Sequence, residues 1–214
     1  MELGVLTVWD QKQRCLASLT QPVLKSYCRK HGYSLLSEER TANPKLTPFW
    51  LKIEAVGDYL ADFDWLAWVD VDCLVMDRDV KLDSFLDEQH DLVITCDLHG
   101  FNSGVMLFRN CSWVKEFLKL VLQQSKFYVD YYYNSEQTAM AYLLFTQDLD
   151  RIKVHPGPAD PLNSYLPGKF IYHAMGLVLE EKVRRIRMAR QPRRAPYIAR
   201  WPLRSVLLPT CNGH

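Results

Sequence analysis

An α/β fold, with a parallel or mixed sheet covered by helices, is predicted by three observations. Short apolar runs alternate with amphipathic segments of helical length. The longest run, residues 65–76 (WLAWVDVDCLVM), is broken only by Asp70 and Asp72, as in a strand buried on both faces. The 214 residues, 48% hydrophobic and 24% charged, suit one globular core rather than a disordered chain.

The elements follow in order. Residues 3–9 form a first buried strand. A helix starts near Gln21, with Thr20 as N-cap, Pro22 in the first turn and Gly32 as the stop. Residues 33–36 read as a second strand and 37–46 as a polar loop. Thr47-Pro48 opens a helix running through residue 63, with Leu51, Ala55, Tyr59 and Leu60 on one stripe. After the 65–76 strand come two more, 91–96 and 103–108. Residues 110–112 cap a helix over 113–126, with Trp113, Phe117, Leu120, Val121 and Gln124 on one face. Another helix covers 135–146, with Ser135 at its N-cap, and 152–154 and 170–173 are short late strands. Residues 1–181 read as a single catalytic domain and 182–214 as a basic C-terminal tail whose prolines limit any long helix.

The formal net charge of +1 conceals an asymmetry. Residues 182–214 hold nine Lys/Arg and no acid, leaving 17 basic against 25 acidic side chains in residues 1–181. A basic, aromatic-bearing tail suits peripheral contact with an anionic membrane, while the acidic body speaks against nucleic acid. The six cysteines form no C-x-x-C pair and read as reduced thiols. No apolar run reaches membrane-spanning length and the N-terminus lacks a basic leader. The chain is expected to be cytoplasmic or at a membrane periphery; a Golgi-luminal setting requires an anchor outside this sequence.

The chemistry concentrates at Asp70-Val71-Asp72. Two carboxylates at the end of an apolar strand are costly unless paired, and a divalent cation resolves the conflict. The plainer reading is a strand end that has reached solvent. His173, in FIYHAMG, is a metal-ligand candidate or a hydrogen-bonded core histidine. Lys52 is a site lysine or part of a solvated helix face. Glu136 and Gln137 stand where acids usually complement a helix dipole. His99, in DLHGFNSG, can face a substrate.

Six motifs, in order, resemble glycosyltransferase family 34, which includes fungal Golgi α-galactosyl- and α-mannosyltransferases and plant xyloglucan xylosyltransferases. They are YCRKHGY, FWLKI, WLAWVDVDCLV, FNSGVMLFRNCSW, SEQTAMAYLL and FIYHAMG, and the resemblance covers about residues 5–177. The resemblance implies a GT-A nucleotide-sugar transferase fold, a Rossmann-like mixed sheet covered by helices. It implies that Asp70, Asp72 and His173 hold Mn²⁺ (or Mg²⁺) against the diphosphate of a nucleoside-diphosphate sugar, with Lys52 on that diphosphate. Gln137 would lie by the anomeric carbon, with Glu136 beside it. Asn102, Ser103 and Gly104 would line the sugar and acceptor side, with Asp97 and His99 close by. The reaction implied is retaining transfer of a hexose or pentose to a glycan or lipid-linked acceptor. The chain departs from the family pattern where Leu177 and Val178 replace a Cys-Lys pair, with Lys182 nearby but out of register, and where Ser135 replaces an acid. A haloacid-dehalogenase-like phosphatase and a non-catalytic membrane- or RNA-binding module are the alternatives. Three consequences are expected. Asp72→Asn leaves stability unchanged or improved, Gln137→Ala lowers turnover more than nucleotide binding, and a chain cut before residue 183 still folds.

Overall fold

A computed structural model describes residues 1–41, 46–97, 100–127, 135–146, 149–155 and 160–191. Six strands form a mixed sheet: β1 (Leu3–Trp9), β2 (Ser34–Glu39), β3 (Trp65–Val69), β5 (Leu92–Asp97), β6 (Gly100–Arg109) and β7 (Ile152–His155). Their order is β2-β1-β3-β6-β5-β7, with β6 antiparallel to both its neighbours and the other pairings parallel. β4 (Cys73–Val75) and β8 (Ile171–His173) make a separate antiparallel pair in which Cys73 faces His173. The α/β class is as expected.

The strand side chains alternate between two cores, as a period of two requires. Val5, Ala67, Val69, Val105 and Leu107 face α1 (Arg14–His31), the small sheet and α5 (Leu179–Arg190). Leu6, Leu66, Trp68, Met106 and Phe108 face α2 (Leu51–Tyr59), α3 (Ser112–Gln124) and α4 (Ser135–Thr146). This makes three layers with the sheet buried on both sides.

Several expectations change. The second strand runs on through Glu39 into the expected loop, α2 ends at Tyr59 and is followed by a 3-10 turn, Leu60–Asp62, and Ser135 is the first residue of α4 and not the cap before it. α1 begins at Arg14, not near Gln21. Asp10 caps a preceding 3-10 turn, Gln11–Gln13, through a reciprocal capping box with Gln13, and the helix runs on from it. Pro22 therefore lies inside the helix, and Thr20 is no cap. Its hydroxyl donates to the Val71 carbonyl at 2.8 Å, tying α1 to the segment between β3 and β4. Gly32 does end the helix, at φ 74°, a conformation that favours glycine. The run 65–76 is not one strand. It leaves the main sheet after Val69, turns through a Cys73 N–H bond to the Asp70 carbonyl (2.9 Å), and continues in the small sheet.

On α3 the buried side chains are Val114, Phe117, Leu118 and Val121, so the core stripe is rotated from the expected one. Trp113 is only half-buried and stacks on Phe117. Residues 182–190 are helical, in α5, with Ile186 in the core, so the boundary drawn at 181 falls within an element. The later tail, 192–214, lies outside the described residues. Among the described residues no helix is long and apolar enough to cross a membrane, and the five described cysteines are unbridged.

Candidate active site

The C-terminal end of β3 delivers Asp70 to the rim of the sheet, where open α/β sheets place their ligands. The antiparallel β6 brings its first residues alongside, since the Asp70 N–H donates to the Gly104 carbonyl at 2.8 Å. Asp72 follows in the turn, and β8 carries His173 back towards both. His173 Nε2 lies 3.2 Å from Asp72 Oδ1 and 3.8 Å from Asp70 Oδ2. The pairing thus comes from a turn and a second sheet, not from two residues sharing one strand face.

His173 is fixed from behind. Asn163 Nδ2 donates to Thr95 Oγ1 (2.7 Å) and to Asn102 Oδ1 (2.8 Å), which makes its Oδ1 an acceptor. That oxygen lies 2.9 Å from His173 Nδ1, so Nδ1 donates to it and Nε2 is the nitrogen that faces the two aspartates. Ligating histidines are commonly oriented by such a partner. Asn102 Oδ1 also accepts the Gly104 N–H at 2.9 Å, and its Nδ2 donates to Met175 Sδ. Gly104 is needed for space: a Cβ there would come within 2.1 Å of the His173 ring.

Lys52 lies on α2 yet is 5% exposed, which removes the solvated-face reading. Its Nζ is 3.0 Å from Asp70 Oδ1, 2.9 Å from both oxygens of Ser103 and 3.3 Å from Glu136 Oε1. Burial disfavours its charge, but Asp70 and Glu136 outweigh that and raise its pKa. Trp68 Nε1 donates to Asp70 Oδ1 at 2.7 Å. Ser103 Oγ lies 3.0 Å from Glu136 Oε1, and Gln137 Oε1 accepts from the Ser103 N–H at 3.0 Å. Glu136 is 2% exposed and its Oε2 has no hydrogen-bond partner among the described residues. α5 adds Lys182, whose Nζ is 2.6 Å from Asp72 Oδ2. Burial opposes the Asp72 charge, yet Lys182 and His173 hold this carboxyl well below the usual range.

Lys52, Asp70, Asp72, Asn102, Ser103, Gly104, Glu136, Gln137 and His173 therefore form one connected cluster. His99 lies outside the described residues, and of Asp97 only the backbone, at the end of β5, is described. Asn163 and Thr95 lie in none of the quoted motifs and went unread in the sequence, Asn163 being a polar residue in a loop; Trp68 lies inside WLAWVDVDCLV but was read there only as part of a buried strand. The cluster fits a divalent cation. Two carboxylates and an imidazole with Nε2 turned inward are suitable donors, and glycine at 104 keeps room for the ring. Asp72, Cys73 and His173 also offer ligand atoms within 4.8 Å of one another.

The fold is that of GT-A glycosyltransferases. It matches a glycosyltransferase involved in glycosylation of the major capsid of PBCV-1 with a TM-score of 0.69 at 18% identity, covering 86% of this chain and 99% of that one. It also matches the galactosyltransferase LgtC, solved with donor and acceptor sugar analogues, at a TM-score of 0.59 and 13% identity, covering 87% and 94%. The galactosyl transferase GMA12/MNN10 family, glycosyltransferase family 34, matches residues 10–90 and 86–179, and the chain belongs to it.

Relatives include galactomannan galactosyltransferase 1 of Cyamopsis tetragonoloba, 26% identical over 152 residues (58% of this chain, 35% of the relative). The probable α-1,6-mannosyltransferase MNN10 of Saccharomyces cerevisiae is 23% identical over 205 residues (77% and 52%). Probable glycosyltransferase 6 of Oryza sativa subsp. indica is 34% identical over 104 residues (43% and 22%). The chain thus spans between a fifth and a half of these relatives' length. Neither the phosphatase reading nor the basic binding module gains support from these matches.

Proposed function

We propose that the protein is a metal-dependent, retaining glycosyltransferase that moves a hexose or pentose from a nucleoside-diphosphate sugar to a glycan or lipid-linked acceptor. The observation that supports this best is the convergence of Asp70, Asp72 and the inward Nε2 of His173 at the C-terminal end of β3. These three residues would hold Mn²⁺. Bound there, the ion would act as a Lewis acid on the diphosphate, neutralising the charge that builds on the leaving group.

The rest of the cluster positions those ligands. Lys52 and Trp68 fix Asp70 Oδ1, which leaves Oδ2 on the His173 side. Asn163 fixes the His173 tautomer. Glu136 is engaged with Lys52 and Ser103, which suits an orienting role better than attack on a sugar. Gln137 spends its amide oxygen on Ser103, and its N–H donors have no partner among the described residues, so they are available to the sugar. In front-face displacement the bond from the anomeric carbon to the phosphate oxygen breaks while the acceptor oxygen bonds on the same face. The acceptor proton passes to the departing phosphate oxygen.

Calorimetry with UDP and GDP, with Mn²⁺ and with EDTA, tests the reading. Binding should require the metal, and equal affinity in EDTA would overturn the clamp. A panel of nucleotide sugars then identifies the donor through slow hydrolysis.

A further inference from the structure

Cys73 stands directly across the small sheet from His173. The two are register partners in the antiparallel pair of β4 and β8, so their side chains leave the same face. Asp72, the residue before Cys73, carries its Oδ1 to 3.2 Å from His173 Nε2. A carboxylate oxygen, a ring nitrogen and the Cys73 Sγ therefore lie within 4.8 Å of one another. All three residues are 5% exposed, and the Sγ makes a weak contact of 3.8 Å with the Gly104 carbonyl.

The donors sort into two overlapping sets. Asp70, Asp72 and His173 give two oxygens and a nitrogen, a set that suits Mn²⁺. Asp72, Cys73 and His173 give oxygen, sulfur and nitrogen, and a thiolate selects softer ions such as Zn²⁺. Zn²⁺ holds four donors in a tetrahedron, with Zn–S about 2.3 Å and Zn–N and Zn–O about 2.0–2.2 Å, so its donors lie about 3.5 Å apart. Rotation of the Cys73 and Asp72 side chains closes the remaining gap of about 1 Å without moving either strand. Asp70 stays with Lys52 and Trp68, and its side chain, 24% exposed, marks the side from which an ion enters. The fourth position is left to water.

We propose that Asp72, Cys73 and His173 form a thiophilic metal site that takes Zn²⁺ in exclusion of Mn²⁺. As the S–Zn bond forms, the thiol releases its proton to solvent. The two ions exclude each other because both need Asp72 and His173. That exclusion rests on the Mn²⁺ reading above, whereas the sulfur ligation stands on the geometry of the small sheet.

The test uses the reduced full chain, with Co²⁺ as a coloured stand-in for Zn²⁺. A thiolate ligand gives a sulfur-to-cobalt charge-transfer band in the near ultraviolet, which carboxylate and imidazole ligands do not. One equivalent of Co²⁺ should raise the band, Zn²⁺ should abolish it, and excess Mn²⁺ should displace it competitively. Cys73→Ser should remove the band and weaken Zn²⁺ binding by about 100-fold or more, since losing a ligand costs more than losing a residue that orients one. Mn²⁺ affinity, read from the EPR signal of the free ion, should change less than about threefold, because a hard ion gains little from sulfur. A cysteine that only packs the small sheet would weaken both ions alike.

No band in the wild-type protein, or a band of full strength in Cys73→Ser, would overturn the inference alone. If Cys73→Ser melts below the assay temperature, the wild-type protein decides. A band that saturating Mn²⁺ leaves untouched comes from another cysteine and overturns the inference. If the band forms and is lost in Cys73→Ser while Mn²⁺ does not bind even with UDP or GDP present, the metal clamp of the transferase reading falls, and the exclusion with it.

Discussion

Asp72 reverses an expectation drawn from its sequence neighbourhood. Next to Asp70 alone it is a repelling charge, and Asn in its place should cost nothing. In the fold it is the acceptor for Lys182 and a neighbour of His173, so Asp72→Asn leaves a largely buried ammonium without its partner. We expect a loss of about 1–3 kcal/mol in the metal-free protein, below the range for fully buried pairs because Lys182 keeps some water, with the melting temperature as readout. Asn163→Ala should leave the fold largely intact but weaken Mn²⁺ binding by about 10- to 100-fold, since His173 loses the acceptor that sets its tautomer. Mn²⁺ titration beside circular dichroism separates the two effects. For Gln137→Ala, kcat should fall much more than UDP or GDP affinity, because its free amide donors are assigned to the sugar and not to the diphosphate. Steady-state kinetics beside nucleotide calorimetry checks this.

At the scale of elements, α5 is where a basic run became structure. Its composition suggested a basic tail outside the catalytic domain, yet Ile186 is fully buried, and Glu181 accepts from both Arg184 and Arg185 at 2.6 Å. Those bonds pull the Glu181 carboxyl down to about 2 from 4.5. A lowered carboxyl adds stability that is complete above its unfolded pKa and is lost as pH falls towards the folded one. Glu181→Gln should therefore lower stability by about 0.5–1 kcal/mol at pH 7, a modest loss because Glu181 and Arg184 keep contact with water. Its deficit should vanish between pH 4.5 and 2, as acid melts record. Ile186→Ala should cost about 2–4 kcal/mol. A chain ending at residue 182 should melt well below one ending at 191, contrary to the expectation that nothing after 182 is needed. The difference is that the shorter chain uncovers the core that α5 packs against.

For the whole molecule, Mn²⁺ with a nucleoside diphosphate at 100 times its Kd should raise stability by about 2.7 kcal/mol, which a thermal shift detects. The alternation of apolar runs and amphipathic segments determined the α/β class, because burial on two faces writes itself into local pattern. Asp70, Asp72, His173, Lys52 and Gln137 were legible because each sits in a contiguous motif, and charge in an apolar run is conspicuous. Tertiary structure alone decided the break after Val69, since one apolar run looks the same whether it stays in one sheet or crosses to a second. It also decided the start of α1, where continuity past Pro22 depends on packing. Above all it decided the partners of the site. Asn163 and Lys182 reach His173 and Asp72 from 10 and 110 residues away, and hydrogen bonds between side chains at such separations leave no periodicity in the chain that makes them.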